Sequence, residues 1–302
     1  MKIGLLMIAT PDTVDPATVA RKAEEVGFES FWLPEHPIFP VHSQTRHFFS
    51  PDGTIADHYA QIPDPFIGLA SAASVTKKIK LATGICLAAE HNPLVLAKAV
   101  APLDHYSGGR VILGVGAGWL REEAEILGVN FSKRWLRLKE CVQAMRELWT
   151  KGAAEFHSQV IDFPPVRCIP QPVQKPCPPV LVGTYTYGEK SLRRVAEWGD
   201  GWFPPASSPQ ELKESLRTLR SLTETIGRDF RTLDISVFLA VSDAVPCADL
   251  IKQYEGAGAQ RVVLVLSRAE KGAAAYKPHL LKADEVEGTL EQLAEQSVVR
   301  VL

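Results

Sequence analysis

The 302-residue chain has no long apolar run, no basic tract and no paired-cysteine motif. No stretch approaches the ~18 consecutive apolar residues of a membrane-spanning helix. The 33 basic and 35 acidic residues nearly cancel, leaving a formal charge of −2. A protein that gripped nucleic acid or an anionic membrane would carry a basic patch, so neither partner is expected. The five cysteines (Cys86, Cys141, Cys168, Cys177 and Cys247) are odd in number, and none forms C-x-x-C. Free thiols in a reducing cytoplasm are the expectation. The apolar start, Met1 to Ala9, is short and runs on into a helical pattern, which reads as a first strand rather than a signal peptide.

What is present is a repeated alternation. Asp15-Pro16, Asp64-Pro65, Asn92-Pro93 and Ser208-Pro209 each precede a helical pattern. A short polar side chain caps free N–H groups, and proline suits the first helical position because its missing N–H is not needed there. Ser208 and Glu211 have the spacing of a capping box. Gly27 and Gly227 fall where helix C-caps belong. Helices are predicted over 16–26, 65–76, 93–105, 120–127 with 134–149, 187–198, 209–226, 247–256 and 286–297. Eight apolar runs lie between them: 3–7, 30–33, 79–85, 111–115, 180–182, 201–203, 235–241 and 262–266. Continuous apolar character suits parallel strands covered on both faces. Eight strand–helix units imply a single (β/α)8 TIM-barrel domain spanning 1–302. An open doubly wound sheet is the alternative. Two insertions break the rhythm: a proline-rich loop over 34–63 after strand two, and 152–179 after strand four, with a hairpin around 154–163.

Barrel active sites form at the C-terminal ends of the strands. Strand one ends without histidine, so the usual metal-hydrolase ligands are missing there. Lys2 and Lys80 sit at strand starts, the wrong end for a Schiff base. Glu35 has no clear carboxylate partner for glycoside hydrolysis. What remains is apolar, aromatic and glycine-rich, with one Glu35-His36 pair. Gly114, Gly116 and Gly118 alternate after strand four and form a main-chain floor that a flat ligand can approach. Trp119 breaks the dinucleotide fingerprint G-x-G-x-x-G. A flat redox cofactor fits this set, because the protein then supplies orientation and the cofactor supplies the chemistry.

Several stretches are similar to the luciferase-like monooxygenase superfamily, and more closely to its deazaflavin-dependent branch. They are Glu24 to His36, Ile79 to Ile85, Asn92 to Lys98 and Leu103 to Glu123, continued by Leu127 to Phe131, Pro179 to Gly183 and Gly199 to Trp202. The resemblance implies a hydride-transfer enzyme acting on a small organic molecule with coenzyme F420, or alternatively an FMN monooxygenase served by a separate reductase. A non-catalytic flavin-binding barrel is a third reading. The resemblance places the ring against strands two to four, propped by a cis peptide at Gly84–Ile85, and the tail phosphate near Gly183-Thr184. His36 takes the place of a histidine that moves protons at the ring. Glu35, Thr83, Gly84, Ile85, Gly116, Gly118, Glu122, Gly183 and Thr184 are accordingly the cofactor-contact candidates beside His36. Relatives are often homodimers.

Each candidate has a plainer alternative. His36 can cap a strand end or pair with Glu35. The glycines can serve a turn alone. Glu122 and Glu123 suit a helix N-terminus through its dipole. Gly183-Thr184 can be an ordinary turn. His42, Arg46 and His47 read as a solvated loop. Phe48, Phe49 and Trp119 are either satellite core or pocket wall, whereas Trp198 and Trp202 read as packing. The apolar face of helix 134–149 (Trp135, Leu138, Val142, Met145, Trp149) serves either a dimer or the barrel.

Overall fold

The computed structural model describes residues 1–47, 50, 52–241, 247–266 and 279–297, without the side chains of Val241, Cys247 and Leu266. Eight parallel strands close into a barrel: β1 (Lys2–Leu6), β2 (Ser30–Leu33), β3 (Lys80–Cys86), β4 (Val111–Val115), β7 (Val180–Gly183), β8 (Gly201–Phe203), β9 (Asp234–Val241) and β10 (Arg261–Leu266). The order around the barrel is β1-β10-β9-β8-β7-β4-β3-β2. The remaining strands, β5 (Ala153–His157) and β6 (Asp162–Arg167), pair as an antiparallel hairpin in the second insertion, where the proline-rich segment predicts one.

Helices α1 (Pro16–Glu25), α2 (Pro65–Val75), α3 (Pro93–Ser107), α4 (Arg121–Ile126), α5 (Arg134–Lys151), α6 (Glu189–Trp198), α7 (Pro209–Thr225), α8 (Cys247–Ala257) and α9 (Val286–Gln296) connect the strands. The Asp15, Asp64, Asn92 and Ser208 side chains each accept from an N–H of the first helical turn, and a proline follows each cap. Gly27 and Gly227 adopt positive φ just beyond α1 and α7. None of the described helices is long and apolar enough to cross a membrane. Cys86, Cys141, Cys168 and Cys177 are free thiols.

Alternating strand side chains divide the core. Leu6, Trp32, Ala82, Ile112, Leu181 and Phe203 fill the barrel, while the opposite faces pack on the helices. Trp32 is fully buried, stacks on Phe203 at 4.7 Å and donates its indole N–H to Ser30. A Cβ on Gly4 would lie 2.8 Å from that indole nitrogen, so glycine makes room for it. Arg261 closes the N-terminal end of the barrel with paired hydrogen bonds to Glu29 and Asp234. The α5 face at Leu138, Val142, Met145 and Trp149 is buried within the chain. That face serves the barrel and is not free for a second copy.

Candidate active site

At the C-terminal end of the barrel, strand ends and the loop after β2 enclose a cavity of about 380 Å³. Its wall is mostly apolar or aromatic, with Leu6, Ile85, Tyr59, Trp119, Phe203 and Phe238 prominent. Polar groups are few: Glu35, His36, His47 and Thr184 reach it. The cavity face of β3 presents Gly84 and Ile85, and the peptide bond between them is cis.

His36 sits just past β2. Its Nδ1 lies 2.7 Å from Oε2 of Glu123, which is completely buried in α4. This bond leaves Nε2 as the remaining ring nitrogen, and His36 lines the cavity. A carboxylate on one imidazole nitrogen fixes the tautomer and the orientation of the ring. The sequence-level alternative pairs His36 with Glu35, but the structure turns Glu35 the other way. Its Oε2 accepts from Leu87 N–H at 2.6 Å, and its Oε1 meets His91 Nε2 at 2.9 Å. Burial alone would push His91 down, but the Glu35 carboxylate outweighs it and the imidazole is held above its ordinary range. Cys86 joins Glu35 and His91, with donor atoms within 4.8 Å of one another. Neighbours in sequence point apart here because consecutive residues leaving a strand face opposite ways.

The loop after β2 brings further groups to the site. Loop residue His47 is not a solvated side chain as the sequence suggests. It is 7% exposed, bonds to Tyr59 Oη at 2.9 Å and packs edge-on against Trp119. Burial, reinforced by nearby His36, lowers the His47 pKa. Tyr59 also meets His36 edge-to-face at 5.4 Å, and Trp119 meets it at 5.8 Å. Trp119 is therefore pocket wall. Phe48 and Phe49 lie outside the described residues, as do the strand ends at 242–243 and 267–268.

The remaining sequence candidates fall in three places. Gly84, Ile85, Gly183 and Thr184 line the cavity with Glu35 and His36. The Thr184 hydroxyl accepts from Trp202 Nε1 at 2.9 Å and donates to Thr186 O. Thr83, Gly116 and Gly118 lie outside the lining. The Thr83 hydroxyl donates to Gly114 O at 2.7 Å. The glycine run makes room for the protein's own groups: a Cβ on Gly114 would lie 2.2 Å from Thr83 O, on Gly116 1.9 Å from Ile85 Cδ1, and on Gly118 2.2 Å from Glu90 Oε1. Glu122 is also outside the lining. Its carboxylate accepts from Gln44 N–H, Thr45 N–H and the hydroxyls of Ser43 and Thr45, which ties the loop to α4. Glu123 and Tyr59 are the groups the sequence does not reveal. Glu123 follows another glutamate at a helix start, and only the closure of β2 against α4 shows which of the two turns inward.

Residues 9–298 match the family described as luciferase-like monooxygenase, and the chain belongs to that family. An uncharacterized protein of Mycobacterium bovis is 35% identical over 284 residues, covering 93% of this chain and 97% of its own length. The barrel also matches an F420-dependent secondary alcohol dehydrogenase solved with an F420–acetone adduct, at TM-score 0.74 and 19% identity over 99% of both chains. The oxygenating constituent of 3,6-diketocamphane monooxygenase from Pseudomonas putida, solved with FMN, matches at TM-score 0.62 and 20% identity, over 82% of this chain and 69% of that one. At these identities the two structures show a shared fold.

Proposed function

We propose that the protein is an F420-dependent oxidoreductase that exchanges a hydride with a small organic substrate whose reacting oxygen meets His36. The observation that carries this reading is the His36–Glu123 pair facing an apolar cavity. A carbonyl or alcohol carbon that gains or loses hydride needs a proton given to or taken from its oxygen. An imidazole braced by a buried carboxylate is suited to that task.

The cavity fits a flat coenzyme. Its volume lies within the roughly 300–1,000 Å³ of small-molecule sites, and its walls are apolar with few polar groups. Gly84 and Ile85 would hold the ring. Gly183, Thr184 and the start of α6, which has no side-chain cap, would hold the tail phosphate. Bound there, the coenzyme supplies the hydride donor or acceptor. His36 Nε2 holds or takes the proton at the substrate oxygen. Glu123 keeps Nδ1 protonated and the ring in place. The loop carrying His47 and Tyr59 screens the cavity from water, which strengthens the charge interaction inside.

The test is thermal shift and retained absorbance of the purified protein with F420 and with FMN separately. Saturating ligand at 100 Kd stabilises by about 2.7 kcal/mol. A shift with F420 alone is expected. A shift with FMN alone moves the assignment to the monooxygenase reading, and no shift with either overturns both. In His36→Asn, binding is expected to survive while turnover falls by ~100-fold.

A further inference from the structure

Glu35, Glu90 and Glu123 are all buried, and among the described residues only Glu35 and Glu123 have hydrogen-bond partners. Glu35, beyond β2, is held by Leu87 N–H and His91. Glu123, on α4, gives Oε2 to His36. Glu90 ends the single 3-10 turn after β3 and is 7% exposed. Neither of its oxygens, nor Oε1 of Glu123, has a hydrogen-bond partner among the described residues. The Glu90 carboxyl lies against main chain, in the space a side chain on Gly118 would take. Gly118 has φ +77°, so the same glycine makes the turn and admits the carboxyl.

The charged groups around Glu90 do not neutralise it. Arg137 on α5 spends its guanidinium on Ala89 O and His91 O. Arg134, also on α5, spends its own on Gly118 O and Phe131 O. His91 is engaged by Glu35, and His36 by Glu123. Glu90 therefore feels the charges of Glu123 and Glu35 and has no donor among the described residues. A buried carboxylate in that position would be costly, and the neutral acid is the cheaper form.

We propose that Glu90 holds a proton in the resting protein and is a positioning residue that keeps Glu123 in place against His36. The inference rests on the reading of His36 given above, but the state of Glu90 can be measured without it. Burial first, then the charges of Glu123 and Glu35, push Glu90 up to about 9. When Glu90 ionises, a further buried charge enters beside Glu123 and disturbs the contact that positions the His36 ring. No bond other than O–H changes: the Glu90 proton leaves to solvent and returns from it.

The experiment uses the full-length protein without coenzyme. The infrared carbonyl band of a protonated carboxyl is followed from pH 6 to 10, beside NMR titration of the His36 ring. The band is expected at neutral pH, disappearing as pH passes roughly 9. It is expected to be absent in Glu90→Gln and retained in Glu123→Gln. His36 should respond to the same alkaline step in the wild type and lack that response in Glu90→Gln. In the loaded enzyme, the step near pH 9 in the pH profile of kcat should disappear in Glu90→Gln, a change that a purely structural role would not produce. Absence of the band from the wild type at neutral pH, or its survival in Glu90→Gln, overturns the proposal whether or not the variants fold well. Failure of both coenzymes to bind leaves the band in place and counts against the functional reading alone.

Discussion

His36 Nδ1 and Glu123 Oε2 lie 2.7 Å apart although 87 positions separate the residues. The contact joins the first residues beyond β2 to the first turn of α4, across the open end of the barrel. It gives His36 a defined tautomer and a buried carboxyl partner, which Glu35 beside it does not provide.

Glu123→Gln keeps the shape and removes the charge. Turnover is expected to fall by up to ~100-fold with coenzyme binding little changed. The double variant with His36→Asn should be no slower than the slower single variant, because the two side chains act as one unit. Multiplicative losses in steady-state kinetics would show that they act separately.

Glu122→Ala should release the loop after β2. The carboxylate there gathers Ser43, Gln44 and Thr45. Hydrogen exchange at 43–47 should speed up, and KM should rise more than kcat falls. Desolvation raises its pKa somewhat, but the bonds from Thr45, Gln44 and Ser43 prevail and hold it down to about 2. The folded pKa is below the unfolded one. The loop contact is therefore at full strength above the ordinary carboxylate range and is lost as pH falls towards 2. Unchanged exchange in the variant would show that the loop is held by other contacts.

His58 makes the same site sensitive to milder acid. Burial, with smaller contributions from His47 and His36, pushes it down to about 4. The folded protein thus binds fewer protons than the unfolded chain between about pH 6.5 and 4, and stability is lost as pH falls through that window. His58→Phe should flatten this loss, by on the order of 1–3 kcal/mol. Melting temperatures of both proteins at pH 7 and pH 4.5 decide it, and parallel losses would rule out His58 as the cause.

Gly116→Ala places a methyl group 1.9 Å from Ile85 Cδ1. Destabilisation of about 1–3 kcal/mol is expected, with weaker coenzyme binding as Ile85 is displaced into the cavity. Ile85→Val removes Cδ1, so the double variant should recover stability. Denaturant melts without recovery would place the clash elsewhere.

Much of the fold was legible because its signals are local. A cap followed by proline starts a helix through groups two or three residues away, and the four such junctions begin α1, α2, α3 and α7. Strand positions were readable as apolar runs between them, and their number pointed to a closed barrel. His36, Gly84, Ile85, Gly183 and Thr184 could be placed at strand ends by the same logic, and all line the cavity.

What only the tertiary structure decided is which side chains meet across those ends. Sequence order cannot show that Glu123 faces His36 while Glu122 faces the loop, because adjacent helical residues differ by a turn of about 100° and only one direction points to the cavity. Nor can it show that Gly116 yields to Ile85 and Gly118 to Glu90, or that His47 is buried. Glycine spacing, two consecutive glutamates and a polar loop are compatible with several arrangements. Closing the barrel fixes the distances between strand ends and leaves one arrangement, since each buried group must find a partner or give up its charge.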